Sequence, residues 1–135
     1  MDEATLNQIN KTLLNTKVEA ITWDGGVPLI NFGRSRLSIV CVWRLVNNGD
    51  FIVASSDSEG IEEEKEEEVQ NILHGKSVKR VSVQPPFHDL KIEFSEGILL
   101  ETFSTSCKYS NWYLLGGEHE NDMIIAGPHS SWSVF

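Results

Sequence analysis

From Val18 to the C-terminus the chain is cut into short alternating segments by turns that carry glycine. Asp24-Gly25-Gly26, Asn47-Asn48-Gly49-Asp50, Ser95-Glu96-Gly97 and Gly127-Pro128 are turn sequences of this kind, because glycine and asparagine reach positive φ at little cost. Between them apolar and polar residues alternate, as in the stretch His88-Asp89-Leu90-Lys91-Ile92-Glu93-Phe94. That alternation places every second side chain on one face of a strand. Loops this short join antiparallel neighbours, since a parallel crossover needs a dozen residues or more. Most of the chain is thereby restricted to antiparallel sheet.

The pattern predicts strands at 18–23, 27–32, 36–46 and 51–54, then at 76–83, 88–94, 98–103, 112–115, 123–126 and 131–135. The strand at 36–46 holds the longest apolar run, Ile39-Val40-Cys41-Val42-Trp43. Pro85-Pro86 closes the strand before it, because proline cannot donate to a central ladder. The last segment, 131–135, reads as an edge strand.

Two stretches break the period of two. In residues 3–14 the apolar Leu6, Ile9, Leu13 and Leu14 recur at helical spacing, with Asp2 as N-cap and Asn15 as a left-handed stop. The second stretch runs from Asp57 to Gly75. Asp57 or Ser58 can cap it, Gly75 can end it, and Ile61, Val69, Ile72 and Leu73 form one buried stripe.

Laid side by side, the halves match. Leu13-Leu14 followed by Lys17 to Ile21 aligns with Ile72-Leu73 followed by Lys76 to Val81. Ile30-Asn31-Phe32 aligns with Ile92-Glu93-Phe94, Trp43-Arg44-Leu45 with Trp112-Tyr113-Leu114, and Phe51-Ile52-Val53-Ala54 with Met123-Ile124-Ile125-Ala126. Each half, about 3–56 and 57–135, then reads as one helix followed by four strands. Such a unit cannot bury both of its faces alone, so two copies pack sheet against sheet. The expected fold is α+β: a mostly antiparallel β sandwich or flattened barrel built from two helix-plus-meander halves, with two short helices, in a single domain of 135 residues.

The second helix also carries most of the charge. Asp57, Glu59, Glu62, Glu63, Glu64, Glu66, Glu67 and Glu68 stand against Lys65 alone, which puts −7 of the chain's net −9 in one place. Helix stability does not call for this. The macrodipole favours acids only in the first turn. The like-charge pairs Glu59/Glu63, Glu62/Glu66, Glu63/Glu67 and Glu64/Glu68 together cost about 1–2 kcal/mol. The plain reading is a solvated helix face; the sharper one is a docking surface for a basic protein partner. A pI near 4.8 argues against nucleic acid and anionic membrane surfaces as partners.

The sequence offers little chemistry. It has no nucleophile elbow, metalloprotease helix or phosphate loop, so no enzyme, cofactor or metal is expected. His74, His88, His119 and His129 are scattered, and only the turn Glu118-His119-Glu120-Asn121-Asp122 is dense in ligand types; a solvated turn is the simpler account of it. An enzyme would need two or more of His88, Cys107, His119 and Asp122 to converge. Cys41 lies in the apolar run and reads as an inert core thiol, whereas Cys107, beside Lys108, is the more reactive candidate. Two sparse cysteines fit a reducing compartment. The N-terminal MDEATLNQ has no signal-peptide pattern and no apolar run spans a membrane, so a cytoplasmic location is expected. Trp43 and Trp112 read as core anchors, and Trp132 as a partly exposed one.

The second half, HDLKIEFSEGILLETF with SNWYLL and then MIIAGPHSSWSVF, resembles a broad group of small bacterial β-rich domains over residues 70–135. The first half departs from that pattern at Arg34-Ser35-Arg36, where the glycine turn is displaced. Many small acidic members of such groups are immunity proteins, which neutralise a toxin by binding it. The resemblance implies that function, brings no catalytic residues, and suits an acidic helix meeting the basic cleft of a toxin such as a nuclease. The alternative is a small-ligand-binding β domain with a pocket between its sheets, near Trp43 or Trp112.

Overall fold

The computed structural model describes residues 1–55, 63–104 and 109–135. Helix α1 spans Glu3–Leu13. A carboxylate oxygen of Asp2 accepts the Thr5 N–H at 2.8 Å, which satisfies one open donor of the first turn. Asn15 at φ +64° ends it. Five strands follow: β1 (Ala20–Asp24), β2 (Val27–Asn31), β3 (Ser35–Ile39), β4 (Val42–Asn47) and β5 (Asp50–Ala54). Helix α2, Glu63–Leu73, leads to β6 (Val78–Gln84), β7 (Asp89–Phe94), β8 (Ile98–Phe103), β9 (Trp112–Gly116), β10 (Met123–Ala126) and β11 (Trp132–Val134).

The strands form two open antiparallel sheets, ordered β1-β2-β3-β9-β10-β11 and β5-β4-β8-β7-β6. The fold is α+β with the two sheets packed together, a sandwich and not a closed barrel. The inward rows of both sheets and the buried stripes of both helices meet in one core, which includes Leu13, Leu37, Trp43, Leu45, Leu73, Leu100, Trp112 and Leu114. Trp43 and Trp112 are 2% and 0% exposed. Each such side chain contributes about 1.5–3 kcal/mol by leaving water.

The long strand expected at 36–46 is two strands. The N–H groups of Val40 and Cys41 both donate to the carbonyl of Asn111, at 2.9 and 3.0 Å. There the chain leaves the six-stranded sheet and enters the five-stranded one. Alternation continues across the passage, with Ile39, Cys41 and Trp43 buried and Val40 exposed, so periodicity alone does not mark the change of sheet.

The halves do not keep to separate sheets either. The meander β1-β2-β3 is extended by β9-β10-β11 from the second half, and β6-β7-β8 is extended by β4-β5 from the first. The helices cross over in the same sense: α1 packs on β6 and α2 on β1. Five strands follow α1, one more than the pattern predicts because 36–46 divides, and six follow α2, as the pattern predicts, so neither half keeps to the four strands of the repeat.

Between the helix ends the two segments pair with each other. Lys17 and Ser77 form an isolated antiparallel bridge. Around it Asn15 N–H donates to Val78 O at 3.0 Å and Gly75 N–H to Val18 O at 2.8 Å. Likewise Val18 N–H donates to Lys76 O at 3.0 Å and Val78 N–H to Thr16 O at 2.8 Å. A shift of sixty residues, 15 to 75 and 18 to 78, converts each bond into its counterpart. The strand junctions correspond too: β3 meets β9 with Leu37 opposite Leu114, and β8 meets β4 with Leu100 opposite Leu45. One register differs from the sequence alignment. Val53 faces Leu45 as Ile124 faces Leu114, so Val53 corresponds to Ile124 and not to Ile125. An irregularity beside Leu45 and Val46, which leaves Ile52 as the extra residue of β5, accounts for the slip.

Candidate functional site

The acidic helix is held by its apolar stripe. Val69 and Leu73 are 2% and 1% exposed and Ile72 packs beside them. At its end His74 N–H returns to Gln70 O at 2.9 Å and Lys76 N–H to Leu73 O at 3.0 Å, with Gly75 at φ +78° between them. Glycine takes that conformation with no penalty from a Cβ. With the stripe fixed inward, Glu64, Glu67 and Glu68 are exposed and Glu66 is half-buried. Lys65 and Glu68 form an ion pair at 3.0 Å, both well exposed, and pairs of this kind contribute at most about 1 kcal/mol. The remaining carboxylates named here carry no ion pair among the described residues. Glu63 begins the described helix; Asp57, Glu59 and Glu62 lie outside the described residues, as do the capping choices Asp57 and Ser58.

The histidines do different things. His88 is buried, at φ +61°, and its carbonyl accepts the Trp112 indole N–H at 2.9 Å. Its Nε2 lies 3.2 Å from the Met1 nitrogen, and Nδ1 has no partner among the described residues. Burial, then the Met1 amine, holds the imidazole below its ordinary pKa, so it is neutral near pH 7. The main-chain N–H of His119 donates to Asp122 Oδ2 at 2.9 Å, which closes an exposed turn. His74 and His129 are exposed. Among the described residues no group of three His, Cys, Asp or Glu side chains is arranged to hold a metal. Burial pushes the Cys41 thiol up to about 11, which suppresses the reactive thiolate; Cys107 lies outside the described residues.

Two clefts, which the sequence reading missed, open where a helix meets two turns. One, of about 240 Å³, is lined by Gln8, Lys11, Thr12, Arg34, Gly117 and Glu118. The other, of about 280 Å³, is lined by residues that include Asn47, Asn48, Asn71, Ile72, Lys76 and Glu96. The only sequence signal for the first was the irregular Arg34-Ser35-Arg36. Both clefts sit beside a helix, whereas Trp43 and Trp112 are buried within the sandwich. Trp23 lies against Trp43, ring centroids 6.1 Å apart.

No described helix is long and apolar enough to cross a membrane. No family model matches the chain, and neither curated proteins nor solved structures give a significant match.

Proposed function

We propose that this chain is an immunity protein that neutralises a bacterial toxin by direct one-to-one binding, with the acidic face of α2 as its docking surface. The observation that carries the reading is the state of the acids. Glu64 and Glu67 stand exposed and without ion pairs among the described residues, on a helix whose opposite stripe is buried. The like-charge cost they impose stays in the free protein, and a basic partner would relieve it. A nuclease fits best, because an enzyme that grips phosphates carries a basic cleft, and a row of carboxylates can fill it. Opposite fields also speed encounter by ten- to roughly a thousandfold, which matters when a toxin must be intercepted before it acts.

The test is co-expression in a bacterial host with the product of the gene immediately upstream. Growth arrest by that product alone, and rescue by this chain through a stable complex, is the expected result. An upstream product that is harmless, or whose toxicity this chain leaves unchanged, overturns the proposal.

A further inference from the structure

The two clefts occupy corresponding places in the two halves and have diverged in charge. Leu13 and Leu73 end the two helices, so Lys11 corresponds to Asn71 and Thr12 to Ile72. Ser35 pairs with Gly116 as Ile98 pairs with Asn47, so Arg34 corresponds to Gly97 and Gly117 to Asn48. On the α1 side Lys11 and Arg34 add positive charge, Thr12 adds a hydroxyl, and Gly117 removes a side chain.

In the α2 cleft the charged groups are already engaged. Lys76 and Glu96 pair at 2.6 Å, Asn48 N–H donates to Gly97 O at 2.9 Å, and the Asn48 side chain lies over Gly97. In the α1 cleft they are not. The Lys11–Glu118 pair is long, 4.0 Å, and its side chains are 77% and 72% exposed, so it holds neither group firmly. Arg34 has no ion pair, and Gly117 N–H no hydrogen bond, among the described residues. Gly117 at φ +131° lies so close to α1 that a Cβ would stand 3.0 Å from Thr12 Oγ1, which lets main chain form the wall.

We propose that the α1 cleft binds a small oxyanion, a carboxylate or a phosphate group, held by the Arg34 guanidinium and the Lys11 ammonium. The fork of an arginine matches two oxygens of such a group, and Gln8, Thr12 and the Gly117 N–H supply neutral donors around it. Glu118 is the resident competitor, released from Lys11 when the anion enters. The net charge of −9 does not forbid this, because fields from distant acids are screened beyond about 8 Å at physiological salt.

The experiment is a titration of the full isotope-labelled chain with inorganic phosphate and, separately, acetate, at constant ionic strength, followed by amide and arginine Nε–H resonances. Saturable shifts are expected at Lys11, Arg34 and Gly117, while Asn48 and Asn71 stay in place. Arg34→Ala, an exposed change, weakens binding by about tenfold or more, and Glu118→Gln tightens it. Saturation by either anion alone or by both supports the proposal and assigns the anion class. Shifts that stay linear with both anions, or saturation that survives Lys11→Ala with Arg34→Ala, overturn it.

Discussion

Leu37 of β3 and Leu114 of β9 face each other across the strand pair that joins the two halves of the chain into one sheet. Leu45 and Leu100 do the same in the other sheet. Neither half therefore owns a complete sheet. A chain cut between Ser55 and Glu63 is expected to give two fragments that are largely unfolded alone, since each keeps strands whose neighbours are gone. Mixing them restores the β-sheet circular dichroism spectrum and tryptophan burial. Either fragment folding cooperatively by itself contradicts the exchanged arrangement.

Much of this fold was legible in the sequence, and the reasons differ by residue. Asn15, Asn48, Gly49 and Gly75 adopt positive φ at the stops and turns read from them, because that chemistry is local. The rows of buried side chains followed alternation. Partner choice did not, because a strand that leaves one sheet for the other at Val40 and Cys41 keeps its period of two. The acidic face could be placed once Val69 and Leu73 were assigned inward. The α1 cleft could not, since Lys11, Arg34 and Gly117 come together only through the packing of a helix on two turns.

Gly116 carries φ +83°, and a Cβ there would strike the Arg34 carbonyl oxygen; Gly49, at φ +84°, has open space around it. Gly49→Ala is expected to cost about 1–2 kcal/mol from the left-handed backbone alone. Gly116→Ala adds the clash and costs about 1–3 kcal/mol more. Urea unfolding of the two variants measures the difference, and equal losses would contradict the close approach.

His88 gives a pH signature. Its folded pKa lies below the ordinary value, so the unfolded chain takes up its proton first as pH falls. Stability is fully present above about pH 6.5 and declines below it until the folded pKa is passed. His88→Asn keeps a residue that tolerates positive φ but cannot titrate. The stability difference between wild type and variant is expected to shrink as pH drops from 7 toward 5, and a constant difference would contradict the assignment.

Cys41 is buried with its thiol pushed up to about 11. In a Cys107→Ser background, alkylation at pH 8 is expected to proceed only as fast as the protein opens, and to accelerate sharply at the urea midpoint. Rapid labelling of the native chain would contradict the burial.

The proposed docking of a basic partner on the exposed acids of α2 is tested by association kinetics. The chain and a Glu64→Gln, Glu67→Gln, Glu68→Gln variant are mixed with the product of the upstream gene across a range of salt. The three side chains are exposed, so the fold is expected to persist: each like-charge pair relieved adds a few tenths of a kcal/mol, and loss of the exposed Lys65–Glu68 pair removes at most about 1 kcal/mol. Association of the variant is expected to slow by about tenfold or more, with a flattened salt dependence. The same rate constant and the same salt slope for both proteins would contradict it.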